Sequence, residues 1–151
     1  MDHLTPVVLL AMNTGMRRGE LLSLEWADID LGAKIITVQA RKAKSGKQRH
    51  IPQNAEALGV VTKWRQQSEG VGQVFKPQDV KKGWDALLTT AKITGFRFQD
   101  LRHHFASKLV MAGVDLNTVR ELLGHSDITM TLRYAHLGPE HLAAAVEKLA
   151  A

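Results

Sequence analysis

The chain has 151 residues, of which 44% are hydrophobic and 23% are charged, and this length and composition predict one globular domain rather than a disordered polymer. It contains no cysteine, which excludes disulfides and thiolate metal sites. Lys and Arg outnumber Asp and Glu by 20 to 15, and the resulting net charge of +5 favours polyanionic partners.

Two helices are predicted at the start of the chain. Pro6 suits the first turn of a helix, and an apolar run continues from it to Gly15. A second helix is expected over 17–26, where three leucines form an inward stripe. The apolar run 7–12 is far too short to span a bilayer, and no basic signal-peptide start precedes it. We therefore expect no membrane partner and a cytoplasmic location.

A small β-hairpin is expected next. Residues 34–40 are rich in β-branched side chains, and 49–53 provide a partner strand across a turn at Ser45-Gly46. A solvated turn is the ordinary interpretation of the basic tip, but five like charges repel one another unless a polyanion neutralises them. The tip therefore favours a phosphate backbone as its partner. Its five cations are Arg41, Lys42, Lys44, Lys47 and Arg49.

The rest of the chain is predicted to be helical. We expect an α+β fold that is predominantly helical, with one small antiparallel sheet and a single domain over 1–151, since no repeat or linker interrupts it. The predicted helices cover 54–69 with Asn54 as cap, 77–93 starting at Pro77, 99–113, 115–124 with Asp115 as cap, 126–138 capped by Ser126 or Asp127, and 139–151.

Tyr134 is the single tyrosine of the chain, and it follows His125 by nine residues. Tyrosines are most often half-buried helix residues with a solvated hydroxyl. The alternative is a nucleophile, which would need cations nearby because the reference pKa of a phenol is about 10. Arg17, at the junction of two helices, and Arg102, in an amphipathic helix, are candidates for those cations. Arg17 alone is adequately explained as a solvated residue at the start of a helix, and each of these signals is weak when taken singly.

Histidines next to one another, such as His103 and His104, raise the question of a metal site. Without cysteine, and with no suitably grouped carboxylate, the sequence argues against a zinc site. We expect no metal and no other cofactor.

Three segments resemble signature motifs of the tyrosine recombinases, the phage integrase family. They are TGMRRGELLSLEWADIDL, which starts at Thr14, KAKSGKQRHIP, and the long stretch from FQDLRHHFAS to LRYAHL. The motifs occur in the family's order and cover 14–137. The resemblance implies the catalytic domain of a site-specific DNA recombinase, which cleaves and rejoins strands through a covalent 3′-phosphotyrosyl intermediate without a metal.

The resemblance also implies a set of catalytic residues, which are Arg17, Lys44, Gln99, Arg102, His125 and Tyr134. The two arginines would hold the phosphate, Lys44 would act as general acid, His125 would donate a hydrogen bond and Tyr134 would attack. Members usually have histidine three residues before the second arginine, where this chain has Gln99; an amide hydrogen-bonds a phosphate but cannot accept a proton at neutral pH. Expected DNA contacts are Arg18, Arg41, Lys42, Lys47, Arg49 and His103.

Double-stranded DNA and the other protomers of a DNA-bound tetramer are the implied partners, and the protein without DNA is expected to be a monomer. A bacterial or phage gene and a nucleoid-associated location follow from the same resemblance. Members usually carry an N-terminal core-binding domain, which we expect to be absent from this chain. Two alternatives stay open: a helix-turn-helix DNA-binding module over 99–126, and an integrase remnant without chemistry. Covalent capture of DNA distinguishes these alternatives from a recombinase.

Overall fold

The computed structural model describes residues 4–150, with the side chains of residues 77–79 excepted. Seven α-helices and three strands lie within these residues, together with four short 3₁₀ helices. The α-helices are α1 (Leu4–Thr14), α2 (Arg18–Leu22), α3 (Ala55–Gln67), α4 (Pro77–Ala91), α5 (Gln99–Met111), α6 (Leu116–Leu123) and α7 (Leu142–Glu147). The strands are β1 (Ile29–Asp30), β2 (Ile35–Val38) and β3 (Arg49–Pro52), and the 3₁₀ helices cover Trp26–Asp28, Ala40–Lys42, Ile128–Met130 and Leu132–Leu137.

The second predicted helix, over 17–26, is wrong in length, because α2 ends at Leu22. The backbone beyond it pairs with a distant loop instead of continuing the helix. The carbonyl of Leu24 accepts from the Val74 amide at 2.9 Å, and the Trp26 amide donates to the Gly72 carbonyl at 2.9 Å. These long-range hydrogen bonds satisfy the backbone amide and carbonyl groups that another helical turn would have paired.

The predicted hairpin is confirmed. β2 and β3 pair antiparallel, with Ile36 opposite Ile51 and Val38 opposite Arg49. Ile36, Val38 and Ile51 are buried, as expected for a sheet with one face on the core. A third strand, β1, was not predicted; it pairs with the other edge of β2. Its two residues are too short a run to show a strand periodicity.

The later helices begin at the predicted caps. The side chain of Asn54 accepts from the Ala57 amide at 2.9 Å, and that of Asp115 accepts from the Thr118 amide at 2.9 Å. Asp127 likewise caps the segment after α6, through the Thr129 amide at 2.8 Å. That segment is not the predicted α-helix over 126–138, because it forms two 3₁₀ helices. β-branched residues lower its helix propensity.

The buried side chains form two clusters that meet at α5. The first joins α1, α3, the sheet and the start of α4, with Leu10, Ile36 and Val61 among its fully buried members. The second joins α5, α6 and the Leu132–Leu137 turn, and it includes Phe105 and Tyr134. α1 packs against both α3 and α5. The predominantly helical α+β class is therefore confirmed.

The end of the chain differs from the predicted helix over 139–151, because α7 covers six residues only. Its apolar side chains Leu142 and Val146, with Leu149 beyond its end, are largely exposed. They form an apolar stripe that the described part of the domain leaves uncovered. Over residues 4–150, the helices are either too short or too polar to cross a membrane.

Candidate active site

Arg102 lies at the junction of three helices. It is only 4% exposed, and its guanidinium donates to the Gly15 carbonyl and to the Leu123 carbonyl, each at 2.6 Å. These carbonyls lie at the C-terminal ends of α1 and α6, where unpaired carbonyls and the helix dipole favour a cation. Burial, with the charges of Arg17 and Arg49, lowers the pKa of Arg102 to about 9, so it remains charged at neutral pH.

Two glycines make this junction sterically feasible. Gly15 has φ of +66°, and a Cβ there would lie 2.3 Å from the Phe105 ring. Gly124 has φ of +76°, and a Cβ there would lie 2.7 Å from a guanidinium nitrogen of Arg49. Any other residue would be strained by its backbone angle and by a clash with its neighbour.

Arg17 and Arg49 are held near Arg102 by a buried carboxylate, Glu20. The Arg17 amide donates to Glu20 Oε1 at 2.9 Å, and the Arg49 guanidinium grips both carboxylate oxygens at 2.8 and 2.7 Å. Arg49 also donates from Nε to the Leu122 carbonyl at 3.0 Å. Burial raises the pKa of Glu20, but Arg49 outweighs it, so the net pKa lies below its ordinary value.

Glu20 was not among the residues predicted from the sequence. Its position could have indicated a role, because it lies three residues after Arg17 at the start of α2. A carboxylate at that position accepts a hydrogen bond from the backbone amide of the residue that caps the helix. Its partner Arg49 is 29 residues away in β3, and no local pattern indicates that pairing.

We expect Glu20→Gln to lower the free energy of unfolding by about 3 kcal/mol, because breaking one side of a buried ion pair leaves the other charge uncompensated. Urea denaturation followed by circular dichroism measures this change. Glu140→Gln, at an exposed position, is the matched control and should change stability little. Equal stability of the two variants would show that Glu20 does not hold the arginines.

Some of the five cations of the hairpin tip are neutralised by protein groups. For Lys42 and Arg49, this corrects the expectation that a polyanion is needed to neutralise them. The Lys42 ammonium lies 2.7 Å from the Ser23 carbonyl and 3.2 Å from carboxylate oxygens of Glu25 and Asp28. Its side chain, like that of Arg49, is only 10% exposed. Both cations fasten the hairpin to the domain. The three other tip cations, Arg41, Lys44 and Lys47, are exposed. Of these, Arg41 also donates to the Gln39 side-chain oxygen at 2.9 Å and lies 3.8 Å from a carboxylate oxygen of Glu25.

His125 follows α6 and is only 8% exposed. Its Nδ1 lies 2.7 Å from the hydroxyl of Thr131, a buried residue that sequence analysis also missed. Burial lowers the pKa of His125 to about 4, assisted by the charges of Arg102 and Arg17. Arg133 and Arg49 contribute in the same direction, so His125 is neutral at neutral pH.

The depressed pKa of His125 predicts a loss of stability in mild acid. Below its ordinary value of 6.5 the unfolded chain takes up a proton that the folded chain does not bind until about pH 4. The free energy of unfolding should therefore fall as the pH drops from 6.5 towards 4, by about 2 kcal/mol from this residue. His103 and Glu20 also titrate in acid. The contribution of His125 is therefore measured as the difference in the free energy of unfolding between wild type and His125→Gln.

Urea denaturation at a series of pH values measures this difference. The stability of His125→Gln should change less than that of wild type between pH 6.5 and 4. Parallel pH profiles for the two proteins would contradict a buried, neutral His125. His50→Gln, which alters an exposed histidine of β3, controls for the general effect of replacing an imidazole.

Tyr134 lies in the Leu132–Leu137 turn and is only 6% exposed. Its hydroxyl hydrogen-bonds to Nδ1 of His103, and the two ring centroids are 5.9 Å apart. Burial raises the pKa of Tyr134, while the nearby charges of Arg133 and Arg102 oppose that shift. Sequence analysis missed Arg133, although a cation directly before a lone tyrosine was a visible signal.

The structure thus brings together four of the six predicted catalytic residues, Arg17, Arg102, His125 and Tyr134. Gln99 and Lys44 are both exposed: Gln99 is the first residue of α5, and Lys44 lies in the loop before β3. Of the predicted DNA contacts, Arg18 is exposed beside Arg17, while His103 lies against the tyrosine hydroxyl rather than free on the surface.

The electrostatic result is a concentration of positive charge around His125. Four guanidinium groups lower its pKa, those of Arg102, Arg17, Arg133 and Arg49. Beside it, a cleft of about 470 Å³ is lined by Lys47, Arg120 and His125 among others. Guanidinium groups this close repel one another, and a bound anion relieves the repulsion. The arrangement is chemically suited to hold a phosphate. Across the described residues, no three histidine or carboxylate side chains are grouped as metal ligands.

The chain is similar to known proteins over most of its length. The model of the phage integrase family matches residues 3–141. The integrase of Salmonella phage P22 is 35% identical over 158 residues, covering 93% of this chain and 41% of that protein. The tyrosine recombinase XerC of Xanthomonas campestris pv. campestris (strain B100) is 34% identical, covering 89% of this chain and 44% of that protein. The chain therefore spans less than half the length of these relatives.

Solved structures show the same fold. The catalytic domain of bacteriophage HP1 integrase superimposes with a TM-score of 0.77 at 29% identity, covering 94% of this chain and 79% of that one. The Tn1549 transposon integrase in complex with a circular intermediate DNA gives a TM-score of 0.75 at 19% identity, covering 95% and 57%.

Proposed function

The chain belongs to the phage integrase family, and from this premise we propose that it is a catalytic domain that cleaves and rejoins DNA strands at specific sites. The reaction proceeds through a covalent 3′-phosphotyrosyl intermediate on Tyr134. One observation carries the proposal: Arg17 and Arg102, 85 residues apart in sequence, lie close enough for the Arg17 charge to lower the pKa of Arg102, and both charges lower the pKa of His125.

The arginines supply the positive charge that the reaction needs. Attack on a phosphodiester concentrates negative charge on its equatorial oxygens, and fixed cations stabilise that charge. Arg102 uses two of its five N–H donors on the Gly15 and Leu123 carbonyls, so the others are free for a phosphate oxygen. The backbone bonds fix the guanidinium in place before DNA arrives, which reduces the cost of ordering it.

In this scheme the Thr131 hydroxyl donates to Nδ1 of neutral His125, which places the ring proton on Nε2, and Nε2 donates it in a hydrogen bond to the phosphate. Lys44 protonates the departing 5′-oxygen, since its exposed position in the loop before β3 lets it reach a bound backbone. Gln99 adds a hydrogen bond to a phosphate oxygen. No metal ion or other cofactor takes part in this scheme.

Double-stranded DNA is the proposed substrate. Arg18, Arg41 and Lys47 are exposed and suit the phosphate backbone; Arg18 directly follows Arg17, and Lys47 lines the cleft beside His125. Lys42 and Arg49 contribute indirectly, by holding the hairpin that presents the exposed cations. The Tn1549 transposon integrase, which shares the fold, was solved with DNA. A nucleoid-associated location in a bacterial cytoplasm accords with this substrate.

Other protomers in a DNA-bound tetramer are the second class of partner that we propose. The apolar stripe of Leu142, Val146 and Leu149 is largely exposed, and an apolar stripe of this kind commonly marks a protein contact. Without DNA, the domain is proposed to be a monomer, since the charged site favours assembly only after a polyanion neutralises it.

Covalent capture tests the proposal directly. The full chain is incubated with a pool of nicked duplexes that carry random sequence around the nick, so that no target needs to be known beforehand. Cleavage next to the nick releases a short fragment and traps the protein on DNA. Mass spectrometry should locate the adduct on Tyr134. An adduct on another residue, or none from any duplex, would overturn the proposed function.

A further inference from the structure

We propose that His103 accepts the proton of the Tyr134 hydroxyl when the tyrosine attacks DNA, and thereby supplies the general base that Gln99 cannot provide. The inference rests on the proposed function, because it assigns a further catalytic residue to the same reaction. It starts from a contact in the structure: Nδ1 of His103 hydrogen-bonds to the hydroxyl oxygen of Tyr134.

The contact is fixed by the packing of both residues. His103 directly follows Arg102 in α5, and the Arg102 guanidinium is anchored by buried hydrogen bonds to the Gly15 and Leu123 carbonyls. Tyr134 is held in the second apolar cluster, and its turn packs against α5. A base must lie within hydrogen-bond distance of the proton that it removes, and His103 meets that condition before DNA binds.

Gln99 cannot act as the base. It is exposed at the first position of α5. An amide oxygen can accept a hydrogen bond, but it does not take up a proton at neutral pH. The position that usually carries histidine in this family therefore lacks a base here, while the imidazole on the tyrosine hydroxyl belongs to the next turn of the same helix.

The surroundings of His103 keep its ring neutral and able to accept a proton. Burial lowers its pKa, and the Arg133 charge acts in the same direction. Asp100 opposes these effects, and the charges of Arg97 and Arg102 add smaller contributions in the lowering direction. At neutral pH the ring therefore has one nitrogen without a proton, and the phenol is the natural donor to it.

The cleavage step moves one proton at each end of the displacement. The phenol O–H bond breaks, and its proton moves to Nδ1 of His103, which becomes an imidazolium. The phenol oxygen forms a bond to the scissile phosphorus, and the bond from phosphorus to the 5′-oxygen breaks. The 5′-oxygen takes its proton from Lys44. Rejoining reverses each transfer, so His103 returns its proton to the departing phenol.

Single-turnover cleavage of a duplex recovered from the capture pool tests this assignment. His103→Gln keeps a side chain that can accept a hydrogen bond but not a proton, so it should cleave about 100-fold more slowly at neutral pH. His104→Gln, which alters the exposed neighbour on α5, is the matched control and should cleave at the wild-type rate.

The pH profile separates a base from a merely structural residue. The wild-type rate should fall in acid as His103 becomes protonated, and the His103→Gln rate should lack this decline. At high pH Tyr134 ionises without help, so the variant should approach the wild-type rate. A deficit of equal size at every pH, or no deficit, would overturn the role of His103. Wild-type protein that captures no DNA would instead overturn the proposed function.

Nitrogen-15 NMR of the histidine side chains gives a readout that needs no activity. His103 is assigned by comparison with His103→Gln, and its Nδ1 should carry no proton at neutral pH. Tyr134→Phe should shift the signal of that nitrogen, because it removes the donor. A protonated Nδ1 in the wild-type protein would make His103 the donor to the tyrosine, which contradicts the inference.

Discussion

Tyr134→Phe should abolish covalent capture of DNA while the protein remains folded and binds DNA non-covalently. The variant removes only the hydroxyl that would attack phosphorus, and Tyr134 is the single tyrosine of the chain, so no other phenol can replace it. The lost hydrogen bond to His103 should cost about 1 kcal/mol of stability. The aromatic ring keeps its place in the second apolar cluster.

Denaturing electrophoresis of the protein on nicked duplexes measures capture, and a band shift under native conditions measures binding. Thr129→Ala removes an exposed hydroxyl from the same segment and should be captured like wild type. Adduct formation by Tyr134→Phe at the wild-type level would exclude Tyr134 as the nucleophile. Loss of both capture and binding, with the fold intact, would assign Tyr134 to DNA binding instead.

Arg102→Lys should reduce the cleavage rate by about 1,000-fold, although the charge is kept. A guanidinium can bond two carbonyls and a phosphate at once, because its five donors point in fixed directions within a plane. The lysine ammonium carries its three N–H donors on one nitrogen atom. It therefore cannot reach the Gly15 carbonyl, the Leu123 carbonyl and the phosphate together. Leaving one buried carbonyl unpaired should also lower stability by about 2 kcal/mol.

Single-turnover cleavage and urea denaturation separate these two effects. The rate is measured at a temperature at which the variant is fully folded, so that unfolding does not contribute. Arg97→Lys, at an exposed arginine before α5, is the matched control and should leave both quantities near wild type. Cleavage by Arg102→Lys within a few-fold of wild type would contradict the role of the planar guanidinium.

Local signals in the sequence predicted much of the fold. Asn54 and Asp115 cap helices through side chains that bond amides three residues away, so the cause lies within a single turn. The second helix was predicted too long because the pairing of Leu24 with Val74 crosses 50 residues, and no local pattern reports it. β1 was missed for a different reason: its pairing with β2 is local, but its two residues are too short a run to show a strand periodicity.

The candidate site shows the same limit. Arg17, Arg102, His125 and Tyr134 were predicted from motifs whose order resembles that of the family. Glu20 was missed, because its importance comes from Arg49 in a distant strand. The contact between His103 and Tyr134 also depends on how α5 packs against a later turn, and the interpretation of His103 as a DNA contact overlooked it.

Arg102 joins the ends of α1 and α6 through backbone carbonyls, and it does so without DNA. Selection for folding alone would retain this arginine in a copy of the gene that had lost its chemistry. An intact Arg102 is therefore weak evidence that a relative is active. Lys44 carries no such structural duty on its exposed loop, so its loss would be the earlier sign of a decayed enzyme.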